Sequence, residues 1–360
     1  MNSGILYQWD EMIDKGFPGM GRWQKRMLAR FSYGVVLAQS CRLNTVAKQL
    51  TGRANASSLE RGLQRFLANE RVVMKVLFKW WIAWVLRLWG KAPLLILVDE
   101  TKLSDHVAVM MVGVAYQGSA IPLIWRAYSV EDYPAEGQVA LMSELLSQLH
   151  SLLPAEQEAL LLADRGLGTS PTWQERLSDS GWQYLLRVQR STLIRLPGQK
   201  PQPLHRLVGY GQTWTAYAQV FKKAGWQWKW VYLVWELGYA EPCCLFSNQA
   251  NLSPALYSRR FQHEASFRDL KSDGFQWQRS HVWLPVHVER LLLVLALASL
   301  WTLTEGTKVT FLYPLSLRQR SLSIFRLGLD YLFERFHAFK TQCLELFLAP
   351  DTPWLKTVVS

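Results

Sequence analysis

The apolar residues of the first 90 positions recur with a helical period. Segments 22–40 and 43–50 each show this period, and a third helix follows a turn-like stretch. Ser57 or Ser58 could cap this third helix, because a serine side chain accepts a hydrogen bond from a free backbone N–H at a helix start. We therefore expect a small helical bundle at the N-terminus.

From residue 91 the pattern changes to that of β-strands. Apolar runs separated by Gly-containing turns predict three consecutive antiparallel strands, which are followed by a helix, a strand, a helix and a strand. The predicted strands are 91–103, 106–118, 120–129, 159–166 and 182–189, and the two helices are 138–150 and 171–180. This order of elements is typical of a ribonuclease-H-like fold.

The remainder of the chain continues with strands and ends with helices. Residues 191–250 show strand and turn patterns, including a hairpin that turns at 222–225. Pro254 opens a helical segment that runs to about Lys271, because proline is favoured at the first position of a helix. Two further helices are expected at 284–303 and 318–340.

These elements predict an α/β fold in which helices flank a ribonuclease-H-like mixed sheet. We divide the chain into an N-terminal helical region (1–90), a ribonuclease-H-like domain (91–305) and a C-terminal helical region (306–360). The central domain carries a mainly β insertion at about 190–250.

Charge is distributed unevenly along a chain whose formal net charge is +12. Residues 1–90 contain 14 Lys and Arg against 5 Asp and Glu, whereas residues 91–249 contain 13 against 14. A basic N-terminal region favours an anionic partner such as DNA, RNA or an acidic membrane. Arg53, Arg61 and Arg65 would suit a helix-turn-helix that binds DNA, although a solvated basic surface would show the same pattern.

The sequence also bears on the cellular compartment. The four cysteines form no CxxC pair, which favours a reducing compartment without a disulfide framework. The first 15 residues have no apolar signal core, and the longest uncharged apolar run, 291–304, is too short to cross a bilayer. We expect a buried helix there, no membrane partner and a cytoplasmic protein.

Two aspartates interrupt or end strands that are otherwise apolar. Asp99 follows the run LLILV, and Asp164 follows LLLA. A buried charge is costly unless it is paired or bound to a metal. In a ribonuclease-H-like sheet the first and fourth strands are neighbours, so both carboxylates would lie close enough to share divalent ions. Either aspartate alone could instead cap a turn or a helix.

A third acid lies in the helix predicted from Pro254. At about 100° per residue, Tyr257, Arg260, Glu264 and Lys271 share one face within about 60° of arc. Such a face could contribute a metal ligand through Glu264 and phosphate contacts through its cations and phenol. A solvated face held by an ion pair between positions i and i+4 is the alternative interpretation.

The spacing of these four residues resembles the YREK signature of bacterial insertion-sequence transposases of the DDE type. The segments VDET (98–101) and ADRG (163–166) are similar to the motifs of that family that carry its two aspartates. Their order agrees too, with 65 residues from Asp99 to Asp164 and 100 from Asp164 to Glu264. The resemblance covers about residues 90–305.

The resemblance implies an activity and a set of roles. Asp99, Asp164 and Glu264 would be the catalytic residues and would hold two Mg²⁺ ions, with Mn²⁺ as a substitute. Tyr257, Arg260 and Lys271 would bind phosphates of the transposon ends. The implied reaction is metal-dependent cleavage at those ends and transfer of the freed 3′ hydroxyl into target DNA.

The resemblance also implies partners. These are double-stranded DNA, as terminal inverted repeats and target, and a second copy of the chain in a homodimer on DNA. Relatives that cut through a hairpin use a tryptophan of the insertion to receive a flipped base, and Trp235 is our candidate, although Trp226, Trp228 and Trp230 lie in the same hairpin.

Two other functions remain open from the sequence. One is a ribonuclease-H-like nuclease without strand transfer, which would share the three acids. The other is a catalytically inactive relative that binds DNA only. All three carboxylates are present, so the sequence gives no sign that the catalytic centre has been lost.

Overall fold

The computed structural model describes residues 3–51, 55–132, 134–135, 137–337 and 344–350. The chain divides into two contact units. Unit 1 comprises 1–91, 100–135 and 262–351, and unit 2 comprises 92–99, 136–261 and 352–360.

The helices are α1 (Ser3–Gly16), α2 (Arg22–Ala38), α3 (Leu43–Gln49), α4 (Ala56–Ala68), α5 (Met74–Trp89), α6 (Gly137–Leu152), α7 (Arg165–Gly168), α8 (Pro171–Asp179), α9 (Phe261–Arg268), α10 (Pro285–Leu312), α11 (Leu317–Arg320) and α12 (Ile324–His337). The strands are β1 (Leu94–Lys102), β2 (Val107–Tyr116), β3 (Ser119–Ser129), β4 (Ala159–Ala163), β5 (Gln183–Arg187), β6 (Leu193–Arg195), β7 (Gln202–Pro203), β8 (Thr213–Val220), β9 (Gln227–Val234) and β10 (Cys243–Ser247).

Unit 1 is built around α10, which begins with Pro285 at a position where a missing N–H costs nothing. The helix is apolar on all sides, as expected of a buried helix, and packs against α2, α4, α12 and β3. Trp301 of α10 stacks on Trp9 of α1 at 4.6 Å between ring centroids. Among the described helices, α10 alone is long and apolar enough to cross a membrane, and 83% of its most apolar stretch is buried within the protein.

The strands of unit 1 form an antiparallel hairpin of β2 and β3. Trp81 of α5 donates a hydrogen bond of 2.8 Å from its indole N–H to the carbonyl oxygen of Pro122 in β3. Arg290 of α10 donates to the carbonyl oxygens of Leu67 and Val72, so its buried charge is satisfied by backbone. The helices and the hairpin are therefore tied by polar contacts as well as by packing.

In unit 2 the strand order is β1-β4-β5-β10-β9-β8-β6-β7. Strands β1, β4 and β5 are parallel, and each later pairing is antiparallel. The predicted neighbourhood of the first and fourth strands is thus confirmed. The sheet is large and mixed, and the fold is α/β as predicted.

The segment after β5 has its own apolar core. The hairpin of β8 and β9 turns at Lys222–Ala224, as predicted, and its inward side chains pack against β5, β6 and β10. Members of this core include Val188, Ile194, Ala218, Val231 and Phe246. The mainly β character predicted for about 190–250 is confirmed.

Several predicted helix starts and ends are wrong. The side chain of Asn55, and not Ser57 or Ser58, caps α4, because it accepts a hydrogen bond from the Ser57 N–H at 2.9 Å. The helix expected over 318–340 is two helices, α11 and α12; Ser323 caps the second by accepting from the Arg326 N–H at 3.1 Å. Residues 338–340 lie outside the described residues.

The helix expected from Pro254 to about Lys271 changes its winding twice. Residues Pro254–Arg260 form a 3₁₀-helix, α9 follows, and Asp269–Asp273 form a π-helix. The π turn arises because the Gly274 N–H donates to the carbonyl oxygen of Asp269, five residues earlier. A uniform advance of about 100° per residue therefore does not hold over this segment.

Candidate active site and nucleic-acid contacts

Asp99 and Asp164 lie at the same level of two adjacent parallel strands in unit 2. The last residues in register are Leu97 and Leu162. Asp99 comes two residues after Leu97 within β1, and Asp164 comes two residues after Leu162, directly after the end of β4. Side chains two apart on a strand leave the same face of the sheet, and neighbouring strands are about 4.8 Å apart. Both aspartates keep partial exposure to solvent. Two hard oxygen donors of this kind suit Mg²⁺.

Asp99 forms an ion pair within unit 2. The guanidinium Nη1 of Arg260 lies 3.1 Å from Oδ2 of Asp99. The Arg260 side chain is 11% exposed and the Asp99 side chain 24%. This arginine, expected to contact a DNA phosphate, therefore neutralises a candidate metal-binding carboxylate in the structure.

Asp164 has a structural contact of its own. Its Oδ1 accepts a hydrogen bond of 3.3 Å from the backbone N–H of Leu167, so it caps the short helix α7. The cap role and a role in metal binding are compatible, because a carboxylate has two oxygens with several lone pairs. β4 ends at Ala163, earlier than predicted, because α7 starts at Arg165.

Tyr257 is buried in the 3₁₀-helix, and burial raises the pKa of its phenol to about 12. The nearby charges of Arg260 and Arg187 act in the opposite direction on this pKa, and Asp164 adds to the increase. The phenol is therefore protonated at neutral pH and remains a hydrogen-bond donor. The charge of Asp164, a candidate catalytic carboxylate, thus acts on this phenol.

A cavity of about 150 Å³ opens beside Tyr257. Its walls combine aromatic rings with charged groups, namely Tyr239, Tyr257, Phe261, Arg187, Glu236 and Glu241. Cys243 also lines it, and burial raises the pKa of this thiol to about 11. The thiol is therefore protonated at neutral pH and is not a reactive thiolate.

Two residues that line this cavity, Arg187 and Glu241, belong to a charged group that we call the Glu241 cluster, together with Arg165 and Arg190. Arg165 Nη1 and Arg187 Nη2 each lie 3.5 Å from Oε1 of Glu241, and Arg190 Nε lies 3.3 Å from Oε2. Sequence reasoning missed this cluster. Only Arg165 belongs to a recognised motif, ADRG. The other members lie far from it in sequence, and no sequence pattern links them to it.

Glu264 and Lys271 belong to unit 1. Glu264 is exposed on α9. Lys271 lies in the π-helix, and its Nζ donates a hydrogen bond of 2.6 Å to the carbonyl oxygen of Lys102. Within the described residues, no group of three His, Cys, Asp or Glu side chains is close enough to hold a metal ion.

Trp235 is half-buried at the end of β9. Its indole N–H donates to the carbonyl oxygen of Tyr239 at 2.9 Å, and its ring meets Tyr210 edge-to-face at 5.8 Å. A different pair in the same hairpin is more open, since Tyr217 and Trp228 stack at 5.1 Å and are 53% and 50% exposed. The sequence could not separate these rings, because they share one hairpin.

The N-terminal bundle presents polar side chains on α4 in unit 1. Arg61, Gln64 and Arg65 are exposed and line a surface groove with Ser58 and Ala68. The opposite face of α4 buries Leu63 and Phe66 in the bundle. Arg53, the third arginine named for DNA contact, lies outside the described residues.

Comparison with known proteins gives one finding on the family. Residues 132–301 match the family model of the transposase DDE domain. The match includes Asp164, Glu264 and the segment 254–273, whereas Asp99 precedes it. No curated protein matches the chain. The match covers 170 of the 360 residues, and over this part the chain is similar to the DDE domain of transposases.

Proposed function

We propose that this chain is the transposase of a bacterial insertion sequence of the cut-and-paste type. It cleaves DNA at the terminal inverted repeats and transfers the freed 3′ hydroxyl into target DNA. The observation that carries the proposal is the parallel register of β1 and β4, which brings Asp99 and Asp164 to one level of the sheet. The family match over 132–301 supports it independently.

The proposed catalytic residues are Asp99, Asp164 and Glu264. As carboxylates they fit two Mg²⁺ ions, or Mn²⁺ as a substitute, which when bound activate an attacking oxygen and stabilise the leaving one at phosphorus. The described part of the chain contributes no close group of three such ligands. Glu264 is proposed as the third ligand because of its place in the motif that also contains Tyr257 and Arg260. No protein nucleophile is required.

The other proposed roles concern DNA. Tyr257 remains protonated and can donate a hydrogen bond to a phosphate oxygen. Arg260 and Lys271 supply positive charge for phosphates, since electrostatic contacts to the backbone position a protein on DNA. Trp235 is the proposed platform for a flipped base. The exposed arginines of α4 support a role for the N-terminal region in DNA binding.

We further propose that two copies of the chain work together on the paired transposon ends. In this arrangement each copy cleaves one end, so the two cleavages are coordinated. The protein would act in the cytoplasm on the bacterial nucleoid, where its duplex substrates are.

A strand-transfer assay tests this function. Purified protein is incubated with Mg²⁺, a duplex that carries the inverted repeats flanking its gene, and a target plasmid. We expect ends with a 3′ hydroxyl and their insertion into the plasmid. Asp164→Asn and Glu264→Gln should bind DNA but lose cleavage by at least about 100-fold, because metal catalysis supplies several kcal/mol and 1.36 kcal/mol is tenfold.

Glu158→Gln is the matched control, since Glu158 is an exposed carboxylate at the other end of β4. Its cleavage rate should equal that of the unaltered protein. Hydrolysis without any joining would identify a nuclease instead of a transposase. Equal cleavage by Glu264→Gln would remove this residue from the mechanism.

A further inference from the structure

The Glu241 cluster gathers three guanidinium groups around one carboxylate. Arg165 and Arg187 share Oε1 of Glu241, while Arg190 contacts Oε2. Within the described part of the chain, Glu241 is the carboxylate that forms ion pairs with all three. The cluster therefore carries two positive charges that Glu241 does not neutralise.

The hold of the three arginines on Glu241 is weak. The ion-pair distances are 3.3–3.5 Å, longer than the 2.7–2.9 Å of a strong charge-assisted hydrogen bond. Arg165 and Arg190 are each 53% exposed, and Glu241 is 36% exposed. Exposed ion pairs contribute little, because water solvates both charges and salt screens them. Another anion can therefore replace the carboxylate at low cost.

The chemistry of the cluster suits a phosphate. A guanidinium group presents its N–H donors in a planar fork that matches two oxygens of a phosphate, and a phosphodiester carries one negative charge, as Glu241 does. The two oxygens of Glu241 that the arginines contact correspond to the two non-bridging oxygens of such a group.

The position of the cluster points to DNA as the source of this phosphate. Arg165 directly follows Asp164, a proposed catalytic residue. Arg187 lies close enough to Tyr257 to act on the pKa of its phenol, and it lines the cavity that Tyr257 also lines. A backbone that reaches Asp164 therefore passes beside the cluster.

We propose that Arg165, Arg187 and Arg190 form a binding site for a DNA backbone phosphate, and that Glu241 fills this site in the DNA-free protein as an internal substitute. The proposal rests on the proposed function for the identity of the ligand as DNA. Glu241 competes with DNA, so it weakens binding and keeps the arginines arranged until a duplex displaces it.

Fluorescence anisotropy with a labelled random-sequence duplex in EDTA measures this competition without cleavage. Glu241→Gln keeps the shape of the side chain and removes its charge, so we expect its Kd to fall about 3–10-fold at low salt. Glu241→Gln/Arg190→Gln should lose most of the gain.

Glu236→Gln is the matched control. Glu236 lines the same cavity five residues earlier, and within the described residues it has no ion pair with the cluster. Its Kd should change less than twofold, although its net charge changes equally. Equal gains in Glu236→Gln and Glu241→Gln would show a general charge effect and overturn the proposal, as would an unchanged Kd in Glu241→Gln.

A second experiment uses inorganic phosphate as the probe and measures its binding by calorimetry. Binding of free phosphate to Glu241→Gln, with no change in its affinity for the duplex, would overturn DNA as the ligand. A melting curve for each variant checks that it folds. If Glu241→Gln does not fold, Arg190→Gln alone provides the test, and it should bind the duplex more weakly than the unaltered protein does. A chain that meets these expectations but never cleaves would disprove the transposase function and leave this site standing.

Discussion

The ion pair between Arg260 and Asp99 predicts a coupling between stability and metal binding. Arg260→Gln removes the cation from Asp99, Asp99→Asn removes the carboxylate from Arg260, and the double variant removes both. Removing one partner of a fully buried pair costs about 3–5 kcal/mol, and an exposed pair contributes about 0.2–1 kcal/mol. The two side chains are 11% and 24% exposed, between these limits.

We therefore expect about 2 kcal/mol of destabilisation from Arg260→Gln and about 3 kcal/mol from Asp99→Asn, because Arg260 is the more deeply buried of the two charges. The double variant should lose less than the sum, by about 1–2 kcal/mol, because the two residues are in contact. A change of 1 kcal/mol shifts Tm by roughly 2–4 °C in a domain of this size. Scanning calorimetry in EDTA measures these shifts.

Addition of Mg²⁺ separates structural from metal-binding roles. A ligand at about 100 times its Kd stabilises the folded state by about 2.7 kcal/mol. Because Arg260 competes with a cation for Asp99, Mg²⁺ should raise the Tm of Arg260→Gln more than that of the unaltered protein. It should raise the Tm of the double variant least. Additive single effects, together with equal Mg²⁺ shifts in all variants, would refute this reasoning.

Two other predictions concern unit 1. Burial raises the pKa of Asp269 to about 7, while the Ser119 hydroxyl and Arg268 act to lower it. Between about pH 4 and pH 7 the folded state therefore keeps a proton on Asp269 that the unfolded chain has lost. The stability of the folded state consequently falls as the pH rises through this window. Asp269→Asn should consequently raise Tm more at pH 8 than at pH 5, and parallel shifts at both pH values would contradict this cause. A Cβ on Gly328 would overlap the carbonyl oxygen of Thr302 where α12 crosses α10, so Gly328→Ala should lower stability by about 3 kcal/mol. In Gly62→Ala the new Cβ meets only the flexible end of Met27 at 3.3 Å, and a Tm as low as that of Gly328→Ala would show that the overlap is not the cause.

The strands were predictable because their patterns are local. A run such as LLILV or LLLA is short, apolar and bounded by polar residues, so it is assigned to a buried strand without knowledge of its partners. The placement of Asp99 beside Asp164 followed from this assignment and from the expected order of strands. Helices α1 and α5 were not assigned, although the buried positions of α5 recur every three to four residues.

The parts that were not predictable depend on contacts between distant residues. Glu241 meets Arg165 across 76 positions of sequence. No period or spacing links them, because only the folded chain brings them together. The winding of 254–273 also escaped prediction, since periods of 3.0 and 3.6 residues differ too little over seven residues to be separated by sequence pattern.

Because Pro254–Arg260 is wound as a 3₁₀-helix, the spacing of residues in a sequence motif does not by itself determine the directions of their side chains. A 3₁₀-helix advances about 120° and 2.0 Å per residue, whereas an α-helix advances about 100° and 1.5 Å. Rewinding these seven residues into an α-helix would shorten the segment by about 3.5 Å and turn its far end by about 140°. Tyr257 lies three residues before the end of this segment, so two chains with identical Tyr-to-Arg-to-Glu spacings can aim the tyrosine in directions that differ by about 60°. The backbone torsion angles decide which of them can reach a phosphate.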